Sequence, residues 1–184
     1  MTRPGEWTSA GERTVYASPW VSVGLVDVTT PAGLRIPEHH VVRVPQQVAG
    51  CLVHDPAIDA LLLIHRHRFI PGTWGWEVPA GRLDPGEVPA AGARRETLEE
   101  TGWRPDGDLR LLSCFTPSPG LLDQRFWAYA AAGATLLGPP SDPHEAHEVT
   151  WVGVPEVLAL LAAGEVLDSL SLVALLTWLR RAGR

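Results

Sequence analysis

Lysine is absent from this 184-residue chain, and all 15 basic side chains are arginine. Acidic residues outnumber them, 21 to 15, giving a formal net charge of −6. That balance argues against a nucleic-acid binder, which would need a basic footprint. Cysteine is nearly absent too. Cys51 and Cys114 are far apart and form no CxxC pair, so a zinc knuckle or dithiol redox site is excluded. Both sit in strand-like apolar contexts and read as buried thiols. No run approaches the ~18 apolar residues of a membrane span, because the apolar C-terminal stretch is broken by Gly164, Glu165 and Asp168. The N-terminal residues show no apolar signal-peptide core, so a cytoplasmic location is expected.

What is present fits one globular domain with a sizeable core: 45% hydrophobic and 20% charged residues. Residues 1–13 are polar and read as loose. Thr14–Val28 alternates as one strand, Thr29–Gly33 as a turn and Arg35–Val44 as a returning strand. Further strands are expected at Val48–His54, Ala60–Arg68, Trp74–Val78, Leu109–Phe115, Arg125–Ala131 and Glu148–Val152. Helices are expected at Pro89–Thr101, Val154–Ala163 and Asp168–Arg181. Pro89 suits a first helical position, Gly102 a helix stop and Asp168 an N-cap. Strands mixed with a few helices, without strict βα alternation, imply an α+β (mixed α/β) sandwich.

The segment Gly81–Trp103, GRLDPGEVPAAGARRETLEETGW, carries the chemistry. A Gly/Pro loop leads into a short helix bearing Arg95, Glu96, Glu99 and Glu100. At about 100° per residue, Glu96 and Glu100 lie roughly 40° apart, with Glu99 about 60° to the other side of Glu96. Three like charges on one stripe repel, and at a helix C-terminus the macrodipole opposes them further. No Lys or Arg stands four residues beyond Glu96 or Glu99, and Arg104, four beyond Glu100, lies past the Gly102 stop. Hard divalent cations offer the missing compensation, since they take oxygen ligands.

These residues resemble the signature of the Nudix hydrolases: Gly81, Glu87, Arg95, Glu96, Glu99, Glu100, Gly102 and a bulky Trp103. The one departure is Thr97 at a bulky apolar position, expected to face the core. The resemblance implies a Nudix-type α/β/α sandwich over residues 45–184. It makes the hairpin of residues 1–44 an extension that pairs across a homodimer. It also implies Mg2+ (or Mn2+) bound by Glu96, Glu99, Glu100 and the backbone carbonyl of Ala80. Arg95 then pairs with a glutamate such as Glu87, while Gly81 shapes the backbone.

Local sequence resembles the ADP-ribose and nucleoside-diphosphate-sugar pyrophosphatase branch. The features are Leu62–Phe69 (LLIHRHRF), Trp76–Gly81 (WEVPAG) and Ser118-Pro119-Gly120. The branch implies a small-molecule nucleotide substrate, ADP-ribose or an ADP-sugar, cleaved to AMP and a sugar phosphate. Other readings are a clean-up type nucleoside triphosphate pyrophosphohydrolase and a non-catalytic nucleotide sensor. Candidate substrate contacts are Arg66, Arg68, Trp20, Trp76, Gly120 and Asp123, with Trp74 as a further stacking candidate. Gln124 stands where the branch often has an acid. In that branch a carboxylate on a later loop binds metal or acts as the base. Glu145 is the choice here, with Glu148 and Asp142 as alternatives. The HEAH at His144–His147 is not a zinc HExxH, because its histidines are three apart instead of four.

Overall fold

The computed structural model describes residues 5–141 and 146–184. They divide into two units, one of residues up to Gln46 with Thr116–Gln124, the other of Gln47–Phe115 with Arg125–Arg184.

The first unit corrects the expected two-stranded hairpin. It is a three-stranded antiparallel sheet, β1 (Thr8–Ala17), β2 (Ser22–Thr29) and β3 (Arg35–Arg43), in that order. The single strand expected over 14–28 is cut by Ser18-Pro19. Ser18 Oγ accepts hydrogen bonds from the backbone N–H groups of Trp20 and Val21, both at 3.2 Å, and so makes a side-chain turn that competes with the ladder. Residues 8–13, expected to be loose, are therefore strand. A polar composition hid them because β1 is exposed along its whole length. Arg43 closes the unit, bonding Glu12 at 2.8 Å and Asp123 at 3.2 Å, while Asp123 also accepts from the N–H of Val44.

The second unit is built on a sheet from β4 (Val48–Asp55), β5 (Ala60–Arg68), β6 (Thr73–Glu77), β7 (Ala80–Arg82), β9 (Arg110–Phe115), β10 (Phe126–Ala132) and β12 (Glu148–Gly153). Its main order is β12-β5-β4-β10-β9, with β6 paired to β5 and β7 to β4. β10 and β4 run parallel, and the other pairings are antiparallel. The short strands β8 (Trp103–Pro105) and β11 (Ala134–Leu136) form a separate ribbon. Along with β7, they are too short to leave a periodic signal in the sequence.

The central strands are apolar on both sides because both faces are covered. Helices α2 (Val154–Ala163) and α3 (Ser169–Ala182) cover one face, where Leu61, Leu63, Val152, Val157, Leu170 and Leu175 pack together. Helix α1 (Pro89–Thr101) covers the other, where Ala93 meets Cys51, Val53, Leu62 and Tyr129. The result is the expected mixed α/β sandwich. Helix α3 is fixed at its start by the Asp168 carboxylate, which accepts from the N–H of Ser171 at 2.9 Å. Ser171 Oγ in turn accepts from the N–H of Val78 at 2.7 Å, tying the helix to the strand end that leads to the acidic segment.

Adjacent leucines in α3 separate packing from propensity. Leu175 is fully buried, whereas Leu176 is 55% exposed. Leu175→Ala should cost about 2–5 kcal/mol, and Leu176→Ala no more than about 0.5 kcal/mol. Urea unfolding checks this. Equal losses would mean that α3 does not pack on the sheet by this face.

Candidate active site

Helix α1 begins with Pro89 at its first position and ends at Gly102, whose φ of 77° lets its N–H return to the carbonyl of Leu98. Packing on the sheet turns Thr97 fully inward, where its hydroxyl donates to the carbonyl of Ala93 at 2.7 Å. A threonine is thus accommodated at an apolar position by bonding back to its own helix. The same rotation separates the three acids. The side chain of Glu99 is 43% exposed, that of Glu96 14%, and that of Glu100 only 2%.

Arg95 joins the first two to the preceding loop. Its Nε and Nη2 donate to the two oxygens of Glu87, at 2.9 and 2.8 Å. Its Nη1 donates to Glu96 Oε1 at 2.7 Å and Glu99 Oε2 at 2.9 Å, and Nη2 also reaches the carbonyl of Arg82. This bidentate grip holds the Glu87 carboxyl below its ordinary pKa, so it remains ionised well into the acid range.

Glu100 is held separately. Arg66 Nη1 donates to its Oε1 at 2.8 Å, and the N–H of Ala80 donates to its Oε2 at 2.8 Å. One carboxylate therefore joins the end of α1, strand β5 and the Pro79–Ala80 peptide. Gly81 follows, and a Cβ there would run into the Glu96 carboxylate. The glycine thus lets the carboxylate approach closely, and a side chain there would have to push it aside.

Arg68 grips Glu77 through two parallel bonds, Nε to Oε1 at 2.8 Å and Nη2 to Oε2 at 2.6 Å. Both β5 arginines, named above as candidate substrate contacts, are in the structure partners of internal carboxylates. Glu77 was missed by sequence reading, although its place opposite Ile64, on the same sheet face as Arg66 and Arg68, follows from the β5–β6 register.

Trp76 is not brought to the acids. It pairs with His65, and both side chains lie on the sheet face with Leu61 and Leu63, opposite α1. His65 stacks on Trp76 with ring centroids 4.8 Å apart, and Trp74 and His147 complete that group of rings. Glu148, in register with His65, projects to the same side. Trp20, Gly120 and Asp123 belong to the first unit, where Asp123 holds Arg43 and the carbonyl of Gly120 lies 3.3 Å from His39 Nε2. Glu145 and Asp142 lie outside the described residues.

Among the described residues no three His, Cys, Asp or Glu groups converge as a ready metal shell. The guanidiniums of Arg95 and Arg66 explain this, since they occupy oxygens of all four motif glutamates. The donors themselves are carboxylate oxygens of one helix face, a hard-oxygen chemistry that fits magnesium or manganese.

Comparison with known proteins is consistent with this geometry. The family model of the NUDIX domain matches residues 44–172. A CMP-5'-(N-acetyl-N-hydroxy-3-aminopropyl)phosphonate hydrolase from Streptomyces rubellomurinus is 38% identical, over 96% of this chain and 84% of its own length. An ADP-ribose pyrophosphatase from Bacillus subtilis is 29% identical, over 89% of this chain and 87% of its own. Another from Mycobacterium tuberculosis is 31% identical over 62% of this chain and 56% of its own. A solved structure described as an ADP compounds hydrolase superposes with a TM-score of 0.79 over the whole of both chains, at 21% identity, and so matches in fold.

Gly81→Ala should displace the Glu96 carboxylate. A shift of about 1 Å there should lower turnover on the order of 10²-fold, while the chain stays folded by circular dichroism. Unchanged turnover would show that the approach of Gly81 to Glu96 is not needed.

Proposed function

The chain belongs to the NUDIX domain family, and from that premise we propose that it is a metal-dependent pyrophosphatase of nucleoside diphosphates linked to a second group. Water attacks one phosphorus of the P–O–P anhydride and the bridging P–O bond breaks. With ADP-ribose or an ADP-sugar the products are AMP and a sugar phosphate. The observation that carries this is the intact set of Glu87, Arg95, Glu96, Glu99 and Glu100, with Arg95 joining Glu87, Glu96 and Glu99, and Arg66 holding Glu100. A sensor without turnover has no use for a complete acidic set. The two relatives named as ADP-ribose pyrophosphatases support the substrate class.

Glu96, Glu99, Glu100 and the carbonyl of Ala80 would hold the magnesium or manganese, which when bound neutralises the diphosphate and activates water. The chain's own residues do the positioning. Arg95 fixes the Glu87, Glu96 and Glu99 side chains, and Glu100 fixes the Pro79–Ala80 peptide. Glu145 is proposed to take the proton of the attacking water. In support, its segment is bracketed by Ser141, whose N–H donates to the carbonyl of Glu99, and His147, whose N–H donates to that of His65.

A second reading has specific support. The relative from Streptomyces rubellomurinus acts, by its name, on CMP linked to a phosphonate. The same cluster can cleave any anhydride between a nucleoside 5'-phosphate and a phosphoryl or phosphonyl group, so CMP-linked phosphonates are the alternative substrate class.

We further propose that the first unit is an extension that pairs two chains. Its exposed Trp7, Val15, Tyr16 and Trp20 support this, since lone strands rarely leave such side chains in water. The chain should sediment as a dimer, and Tyr16→Glu should shift it toward monomer; a wild-type monomer at micromolar concentration would refute the pairing.

The chemical reading is tested by product analysis with magnesium or manganese. ADP-ribose, ADP-sugars, nucleoside triphosphates and a CMP-linked phosphonate are compared. The expected products are a nucleoside monophosphate and a phosphorylated second half; inorganic pyrophosphate from triphosphates as the preferred reaction would favour the clean-up type. Glu99→Gln should cut turnover by orders of magnitude with little change in melting temperature, and Glu145→Gln by about 10²–10⁴-fold. A larger loss in Glu148→Gln than in Glu145→Gln would transfer the base role to Glu148.

A further inference from the structure

The acidic cluster contains its own cations. The guanidinium of Arg95 donates to Glu87, Glu96 and Glu99, and that of Arg66 to Glu100. These two differ in setting. Arg95 reaches the outer glutamates from their own helix. Arg66 comes from strand β5, in line with Leu62 and Ile64 on the α1 face, and its side chain is only 11% exposed. It meets a carboxylate that is itself buried and whose other oxygen is taken by the Ala80 N–H.

Two consequences follow from placing that charge there. Arg66 and the Ala80 N–H each take one oxygen of Glu100, so the carboxylate is correctly turned before any metal arrives. The guanidinium then stays beside Glu100 when a divalent cation approaches. Arginine does not give up its proton, and burial weakens the screening that solvent would supply. Arg66 therefore opposes the cation that Glu100 attracts. We infer that Arg66 is an internal counter-cation that orients Glu100 and weakens metal capture by the nucleotide-free site. Cations are then retained mainly when a diphosphate brings negative charge with them. Metal loading becomes coupled to substrate, and free divalent ions do not rigidify an empty site. Arg66 is a positioning residue here, because it acts through Glu100 and not on reacting atoms. The inference rests on the metal assignment proposed above.

The test is Mn2+ binding, read from the electron paramagnetic resonance signal of the free ion. Wild type, Arg66→Gln and Arg66→Lys are titrated without nucleotide. Arg66→Gln should bind the first Mn2+ at least about threefold tighter than wild type. Arg66→Lys, which keeps the charge, should stay near wild type. Unchanged or weaker binding in a folded Arg66→Gln protein overturns the inference and leaves Arg66 as an orienting group alone. The wild type supplies a second measurement that does not depend on how the variants fold. Mn2+ should bind more tightly with α,β-methylene-ADP present, after subtraction of the metal that the free analogue takes, and equal affinity with and without it overturns the inference. Absence of Mn2+ binding in every form, with analogue or without, overturns the metal assignment and this inference together. Binding that is indifferent to residue 66 overturns this inference only.

Discussion

Three carboxylates near the end of one short helix, with Glu87 from the loop before it, must be held close and still, although they repel one another. Everything else around the site serves that constraint. Arg95 meets it for Glu87, Glu96 and Glu99, using its fork of donors to fix three rotamers at once. Arg66 and the Ala80 N–H meet it for Glu100. A lysine could not replace Arg95 here, since one point charge cannot make parallel bonds to Glu87 while also reaching Glu96 and Glu99.

The fold supplies the rigid frame. Strand β5 brings Arg66 from the sheet, and β7 pairs with β4 so that Ala80 and Gly81 lie beside Gly50 and Ala49 in fixed register. Gly50 has no room for a side chain, because a Cβ there would press on Ala80 and on the Pro79 carbonyl. The loop that presents the Ala80 carbonyl is therefore laid directly on a central strand. Behind it, Ser171 and Asp168 anchor α3 to Val78. The acidic helix, the carbonyl loop and the far helix thus share one support, and sites built on such elements hold their geometry better than sites on free loops.

Much of this was legible in the sequence, for identifiable reasons. Helix α1 has Pro89 and Gly102 as punctuation, and α2 and β5 fall at their expected bounds because apolar periodicity and turn residues agree there. The family resemblance implied that Arg95 pairs with a glutamate such as Glu87, and it does. The division of 14–28 into two strands was not legible. It depends on one serine hydroxyl taking the place of a ladder bond, which no alternation pattern records. The true partners of Arg66 and Arg68 were also hidden. Alternation put both arginines on one sheet face, but only tertiary packing shows that this face carries Glu77 and Glu100 and not open solvent.

The same register bears on how substrates are chosen. Ile64, Arg66 and Glu77 lie on the face toward the acidic helix, whereas His65, Trp74, Trp76 and Glu148 lie on the other. A diphosphate held by the carboxylates therefore faces a polar wall of paired arginines and acids, with the rings behind the sheet. Recognition of a base by Trp76 would require the nucleotide to reach around the β6 edge. On the proposed reading, the acidic cluster would fix the bond to be broken and be blind to what hangs on either side of it. That independence is why relatives named for an ADP-sugar and for a CMP-phosphonate can both resemble one chain. It also means that a change of substrate in this fold needs no change in the carboxylates, only in residues that never touch them.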